Sequence, residues 1–146
     1  MPDNKKDRPV HVAVKGIVIS AGRALILCRN DALGKDGRPW WEFPGGTLEF
    51  PEEPEQTLVR EFREETNLVV TPVRLLYVSS AVIDEKYEIV IVTYLVECDD
   101  VNGVRISKEH RGYLWADEPA MREYLADDIA RALDKNGVWK ILEQEW

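Results

Sequence analysis

Pro54–Thr66 is the first segment of this chain whose pattern specifies a helix from end to end, and it is flanked by β-rich runs. Leu58 and Phe62, four residues apart, share one face and require something flat and apolar to lie on. Pro54 suits the first turn, where its missing N–H costs nothing. Glu52, Glu53 and Glu55 crowd the N-terminal end, where the helix dipole favours anions. Asn67 followed by Leu68 fits a left-handed residue closing the helix and an apolar residue packing back on it. Glu61, Glu64 and Glu65 serve no such purpose. Spacings of three and four bring Glu64 and Glu65 within reach of Glu61, and each like-charge pair costs a helix a few tenths of a kcal/mol. They also stand where the dipole disfavours them, with only Arg60 and Arg63 as offsets. A solvated charged face is the plain explanation. The chemical one is that three carboxylates converging from one face match the oxygen preference of hard divalent cations such as Mg²⁺ or Mn²⁺.

The rest of the chain predicts the sheet beneath this helix. Val10–Ser20 and Arg23–Arg29 read as a hairpin around Ala21-Gly22, and residues 30–39, with two Gly and one Pro, as a loop. Trp40–Phe43 leads to Pro44-Gly45-Gly46 and a short Thr47–Phe50 strand. Val69–Val82 and Tyr87–Glu97 form a second hairpin pattern, and Tyr113–Ala116 a last short strand. Asp117 then caps helical sequence with Pro119 near its start, running to about Leu133, and Val138–Trp146 suggests a further short helix. Residues 1–9 are polar and read as a loose tail; residues 10–146 read as one domain, a length close to the roughly 100–150 residues of a common single domain.

Composition narrows the partners. Asp and Glu outnumber Lys and Arg 27 to 19, a net charge of −8. That balance argues against nucleic acid, whose binders show a basic face. Seven acids and two bases in Gly46–Leu68 place −5 of that charge in the helix region, so any phosphate bound there needs cations between. Cys28 and Cys98 end apolar runs and read as reduced packing residues; with only His11 and His110 as nitrogen partners they do not suggest zinc. No leader pattern and no run near the ~20 apolar residues of a membrane helix is seen, so the cytoplasm is the expected location and no membrane is involved.

The stretch Gly46-TLEFP-Glu52-EPEQTLV-Arg60-Glu61-Phe62-Arg63-Glu64-Glu65-Thr66-Asn67-Leu68 resembles the Nudix box: Gly, five residues, Glu, seven residues, Arg-Glu, a hydrophobe, any residue, Glu-Glu, any residue, Gly and a hydrophobe. Asn67 is the one departure, standing where the family has Gly, and Asn is the next best residue at positive φ. The lead-in Trp41-Glu42-Phe43-Pro44-Gly45-Gly46 is also similar to the family's. The resemblance implies an α/β/α sandwich with a mixed central sheet, the box helix on one face and the 117–135 helices on the other. It implies hydrolysis of a pyrophosphate bond in a nucleoside diphosphate linked to another group. Position by position, Glu61, Glu64, Glu65 and the Gly45 carbonyl would ligate Mg²⁺ or Mn²⁺, Arg60 would orient the carboxylates, and Glu52 would support the loop. Two or three cations would neutralise substrate and helix and polarise the attacking water.

The general base is Glu61 in some relatives and a loop residue in others, for which Glu109 is the candidate here; Glu109 read alone is an ordinary surface residue, and His110 is expected to face solvent. Arg29 would face the phosphates by resemblance, or is simply a solvated strand end. Trp40, Trp41, Tyr87 and Trp115 are the aromatics from which one or two could stack on a base, with Trp40 and Tyr87 the candidates. Chain length and the lead-in lean toward a (deoxy)nucleoside triphosphate giving the monophosphate and pyrophosphate. ADP-ribose or another nucleotide sugar, a dinucleoside polyphosphate, and a catalytically silent nucleotide sensor are the alternatives. A small-molecule nucleotide is thus the expected partner, and a homodimer is left open.

Overall fold

The computed structural model describes residues 4–34 and 37–145, apart from the side chains of Asp31 and Glu145. Seven strands and four helices follow in order: β1 (Val10–Ser20), β2 (Arg23–Leu33), β3 (Pro39–Glu42), β4 (Gly45–Thr47), α1 (Pro54–Thr66), β5 (Thr71–Ile83), β6 (Tyr87–Glu97), β7 (His110–Ala116), α2 (Glu118–Tyr124), α3 (Asp127–Lys135) and α4 (Val138–Glu145). Within the expected tail, Lys5–Asp7 forms one 3-10 turn.

β1 organises the sheet. It runs parallel to β6 from Val10 to Val18, while Ala13–Lys15 pair with β4 and Ile19–Ser20 pair with β2. β3 and β7 both pair with β2, and β5 closes the far side against β6. One parallel pairing among antiparallel ones makes the sheet mixed, as expected. Both expected hairpins are present. Ala21 and Gly22 have φ of 51° and 76°, the double positive φ that suits a two-residue hairpin to strand twist.

Alternation along β1 and β2 buries both faces of the sheet. Val14, Val18, Leu25 and Leu27 pack with Leu58 and Phe62 of α1. Ile17, Ala24 and Ile26 face the other way, onto Met121, Leu133, Trp139 and Leu142 of the C-terminal helices. Leu58 and Phe62 are fully buried, each contributing roughly 1.5–3 kcal/mol. The layered α/β/α arrangement is therefore the one the resemblance implies.

Several boundaries differ from expectation: β7 starts at His110 rather than Tyr113, β3 and β5 shift by one or two residues, and three further differences follow tertiary contacts. β2 continues through the expected loop to Leu33, because Arg29 pairs with His110 and the Asn30 N–H donates to the Glu109 carbonyl at 3.0 Å. The strand after the Gly pair is Gly45–Thr47 rather than Thr47–Phe50, since it is the glycines that meet β1. The helix after Asp117 is two helices: Leu125 and Ala126 turn extended, and the Ala126 N–H donates to the Trp41 carbonyl at 3.2 Å. Tertiary pairing overrides local propensity at each of these places.

The C-terminal end of α1 fixes the loop that follows β6. Asn67 adopts φ 67° and returns its N–H to the Arg63 carbonyl, as its place in the sequence suggested. The next carbonyls, of Glu65 and Thr66, accept N–H groups from Ser107 and Arg105 at 3.2 and 2.9 Å. Helix ends need such partners for their last carbonyls. Here the partners draw Glu109 and His110 to the side of the box helix.

Candidate active site

Arg60 is the hub of the helix surface. Its Nε and Nη2 donate to the two oxygens of Glu52 at 2.7 and 2.9 Å, a bidentate fork. Its Nη1 donates to Glu61 at 3.0 Å and to Glu64 at 3.3 Å. The fork from Arg60 pulls the Glu52 carboxyl down to about 2. One guanidinium thus ties together Glu52, Glu61 and Glu64.

Glu61 lies directly over Gly46. A Cβ on Gly46 would stand 2.4 Å from the Glu61 carboxyl carbon and 2.6 and 2.7 Å from its oxygens. Burial raises the Glu61 carboxyl above its ordinary range in spite of Arg60, and Glu64 and Glu109 add to the rise. Glu109 is therefore close enough to be felt at Glu61. Glu64 is the exposed member, its side chain 58% accessible. Glu65 is buried, accepting the Gly45 N–H at 3.1 Å through Oε1. Burial drives its carboxyl up to about 7, against the pull of Lys15, His110 and that N–H.

Behind Glu65 lies a group that sequence reasoning left without a role. Glu42 of β3 and His110 of β7 are both buried, with His110 Nε2 3.2 Å from Glu42 Oε2 and His110 Nδ1 3.7 Å from Glu65 Oε2. The expectation that His110 faces solvent is corrected: its side chain is 2% accessible, because the loop bonded to the end of α1 turns it inward. Lys15 Nζ stands 3.7 Å from Glu42 and Arg29 Nη1 3.9 Å. Burial alone would push the Glu42 carboxyl up, but Lys15, the His110 bond and Arg29 outweigh it and hold it at about 2. The readable signals were a lysine within the Val-rich β1 and the acid inside Trp41-Glu42-Phe43.

Of the candidate substrate residues, Arg29 and Trp40 converge on Glu42. Trp40 Nε1 donates to Glu42 Oε1 at 3.0 Å, and Trp40 also lines a cavity of about 150 Å³ with Arg38, Tyr124, Asp127, Asp128 and Arg131. Tyr87 is not brought to this group. It lies at the start of β6 against His11, six residues and roughly 20 Å along the strand from Thr93, the neighbour of Lys15. A larger cavity, about 290 Å³, lies along Leu95–Asp99 and takes in none of the α1 carboxylates. Cys28 and Cys98 are free thiols.

The donor set fits a divalent cation: carboxylates that are hard oxygen donors, clustered, partly desolvated and short of positive charge. Gly45 and Gly46 clear the backbone around them. A Cβ on Gly45 would lie 1.9 Å from the Val14 carbonyl oxygen, and its φ is 148°. A family model for the NUDIX domain matches residues 9–135. The chain belongs to the NUDIX family. A MutT-like protein of Streptomyces ambofaciens is 33% identical over 137 residues, covering 91% of this chain and 82% of that one. An 8-oxo-dGTP diphosphatase of Proteus vulgaris is 38% identical over 76 residues, covering 52% of this chain and 63% of that relative, so this match spans under two thirds of that protein. Among solved structures, a MutT protein from Methanosarcina mazei Go1 superposes with a TM-score of 0.75 at 19% identity, covering 95% and 96% of the two chains; that likeness shows the Nudix fold. Among the described residues, no helix is long and apolar enough to cross a membrane.

Proposed function

We propose that this Nudix domain is a Mg²⁺- or Mn²⁺-dependent pyrophosphohydrolase acting on a small nucleotide, with a (deoxy)nucleoside triphosphate as substrate and the monophosphate and pyrophosphate as products. The observation that carries the reading is the placing of Glu61 against Gly46, beside Glu65 and under the Arg60 guanidinium. Glu61, Glu64 and Glu65 would hold the cations, together with the Gly45 carbonyl. Bound divalent cations supply charge neutralisation and a water of lowered pKa. The chain's own contribution is positioning: Arg60 fixes two of the acids, the Gly45 N–H orients Glu65, and the missing Cβ of Gly46 leaves room for the Glu61 carboxylate.

A general base must be ionised to take a proton, and Glu61 and Glu109 both lie where it is needed. Burial raises the Glu61 carboxyl above its ordinary range, which makes it a stronger base than an exposed carboxylate. On the substrate side, Arg29 would meet phosphate oxygens and Trp40 would stack a base, a reading supported by the approach of both to Glu42 and by the cavity that Trp40 lines. The name of the Proteus relative, an 8-oxo-dGTP diphosphatase, supports the triphosphate over the nucleotide-sugar reading. Aromatic stacking on a base is worth about 1–3 kcal/mol. Trp40→Ala is accordingly expected to raise KM roughly tenfold with kcat little changed, as steady-state kinetics would show.

The substrate class is tested by measuring kcat/KM across the canonical and 8-oxo deoxynucleoside triphosphates, ADP-ribose and dinucleoside polyphosphates in Mg²⁺, with products separated by anion exchange. A triphosphate giving monophosphate and pyrophosphate at the highest kcat/KM is the expected result. Preference for ADP-ribose, or tight nucleotide binding without turnover, would replace this reading by one of its alternatives.

A further inference from the structure

We propose that His110 Nδ1 is a metal ligand paired with Glu65 Oε2, so that this site holds its cation with one nitrogen donor that Glu42 keeps in the required tautomer. The inference rests on the reading of Glu65 as a metal ligand and goes beyond it.

His110 presents its two nitrogens to two different carboxylates. Nε2 is 3.2 Å from Glu42 Oε2. Glu42 is flanked by Lys15 and Arg29 and is an acceptor only, so Nε2 must carry the hydrogen. In the neutral ring Nδ1 then carries a lone pair. That atom is buried and has no hydrogen-bond partner. It faces Glu65 Oε2 at 3.7 Å, beyond hydrogen-bond range. The other oxygen of Glu65 is already used by the Gly45 N–H. Two lone-pair atoms therefore face each other inside the fold, an arrangement that a cation between them would satisfy.

The gap is close to the width that one ion spans. Two ligand atoms each about 2.1 Å from one metal ion stand roughly 3.0 to 3.6 Å apart as the angle at the metal opens from 90° to 120°, and the observed 3.7 Å lies just beyond that range. The back of the imidazole is braced as in metal sites generally, where a ligating His donates its other N–H to a carboxylate. Imidazole is a ligand of first-row transition ions rather than of Mg²⁺, and Mn²⁺ is the softer of the two candidate cations, so the site is expected to rank Mn²⁺ above Mg²⁺ in affinity.

The test is pulsed electron paramagnetic resonance on the full chain with Mn²⁺ added. Histidine nitrogen coupling to the bound Mn²⁺ is expected in the wild type, changing from the ¹⁴N to the ¹⁵N pattern when histidine is ¹⁵N-labelled. The coupling should persist in His11→Ala and vanish in His110→Ala. Glu42→Gln should keep it while weakening Mn²⁺ binding at least about tenfold, the usual cost of losing such a brace. The labelled wild-type measurement needs no variant to fold. Bound Mn²⁺ with no histidine coupling, or coupling lost in His11→Ala, overturns the proposal and leaves the carboxylate site standing. Absence of Mn²⁺ binding overturns both.

Discussion

Glu65→Gln is expected to lower kcat by at least ~10²-fold, the low end of what a charged catalytic group supplies, and at the same time to stabilise the metal-free protein at pH 8. Both effects come from one carboxylate. Glu65 is buried, and its acidity in the fold lies at about 7 against an ordinary 4.5. Between those values the folded chain keeps a proton that the unfolded chain has released, so the stability Glu65 contributes is whole below pH 4.5 and is lost as pH rises through 7. The difference corresponds to roughly 3 kcal/mol as an upper figure. Glutamine cannot ionise and escapes the loss. Glu42 has the opposite sign, held at about 2, so its contribution is present above pH 4.5 and is lost only in strong acid. It takes no part in the window from pH 5 to 8, where Glu65 acts together with Glu61, which burial raises in the same direction. Denaturant midpoints in EDTA at pH 5 and pH 8, for wild type and variant, measure the effect. A wild type equally stable at both would show that Glu65 is not held at a cost. Glu61→Gln should show the same drop in kcat with the fold intact.

The second large effect is expected from a glycine. In Gly46→Ala the new methyl would collide with the Glu61 carboxylate at 2.4 to 2.7 Å. A side-chain end can swing away, so the stability cost should stay within about 1 kcal/mol, inside the usual range for point substitutions. The carboxylate, however, would leave its place, and a misplacement near 1 Å costs about 10²-fold in rate. A thermal melt near that of wild type with kcat down at least ~10²-fold is the expected pairing. Gly45→Ala makes the contrast, because its methyl meets the Val14 backbone oxygen, which cannot swing aside, at positive φ. That variant should fail in folding before it fails in chemistry. Wild-type turnover in Gly46→Ala would mean that the observed seat of Glu61 is not the working one.

Much of this was readable where local chemistry decides. The ends of α1 came from Pro54 and Asn67, its buried face from Leu58 and Phe62, and its chemical face from acids that a helix has no reason to carry. The hairpins followed from Ala21-Gly22 and from the turn before Tyr87. What could not be read was set by pairing between distant segments. Nothing in residues 30–39 says that Asn30 will bond to the Glu109 backbone, or that Trp41 will break the C-terminal helix at Ala126. His110 is the clearest instance: polar and beside Lys108 and Glu109, it reads as surface, yet the orphan carbonyls of α1 capture its loop and bury it against Glu42 and Glu65. Lys15 and Glu42 were visible as a lysine in an apolar strand and an acid between aromatics. Each oddity alone was mute, and together they form the inner wall of the site.

The account turns on the claim that the carboxylates of α1 hold the cations on which hydrolysis depends. Titrating Mn²⁺ into the wild type and into the Glu61→Gln/Glu65→Gln double variant by calorimetry, with turnover of a nucleoside triphosphate followed over the same metal concentrations, tests it most directly. Saturable binding in the wild type that tracks turnover, with both lost in the double variant, is the predicted result. Turnover that persists in EDTA or in the double variant would contradict it.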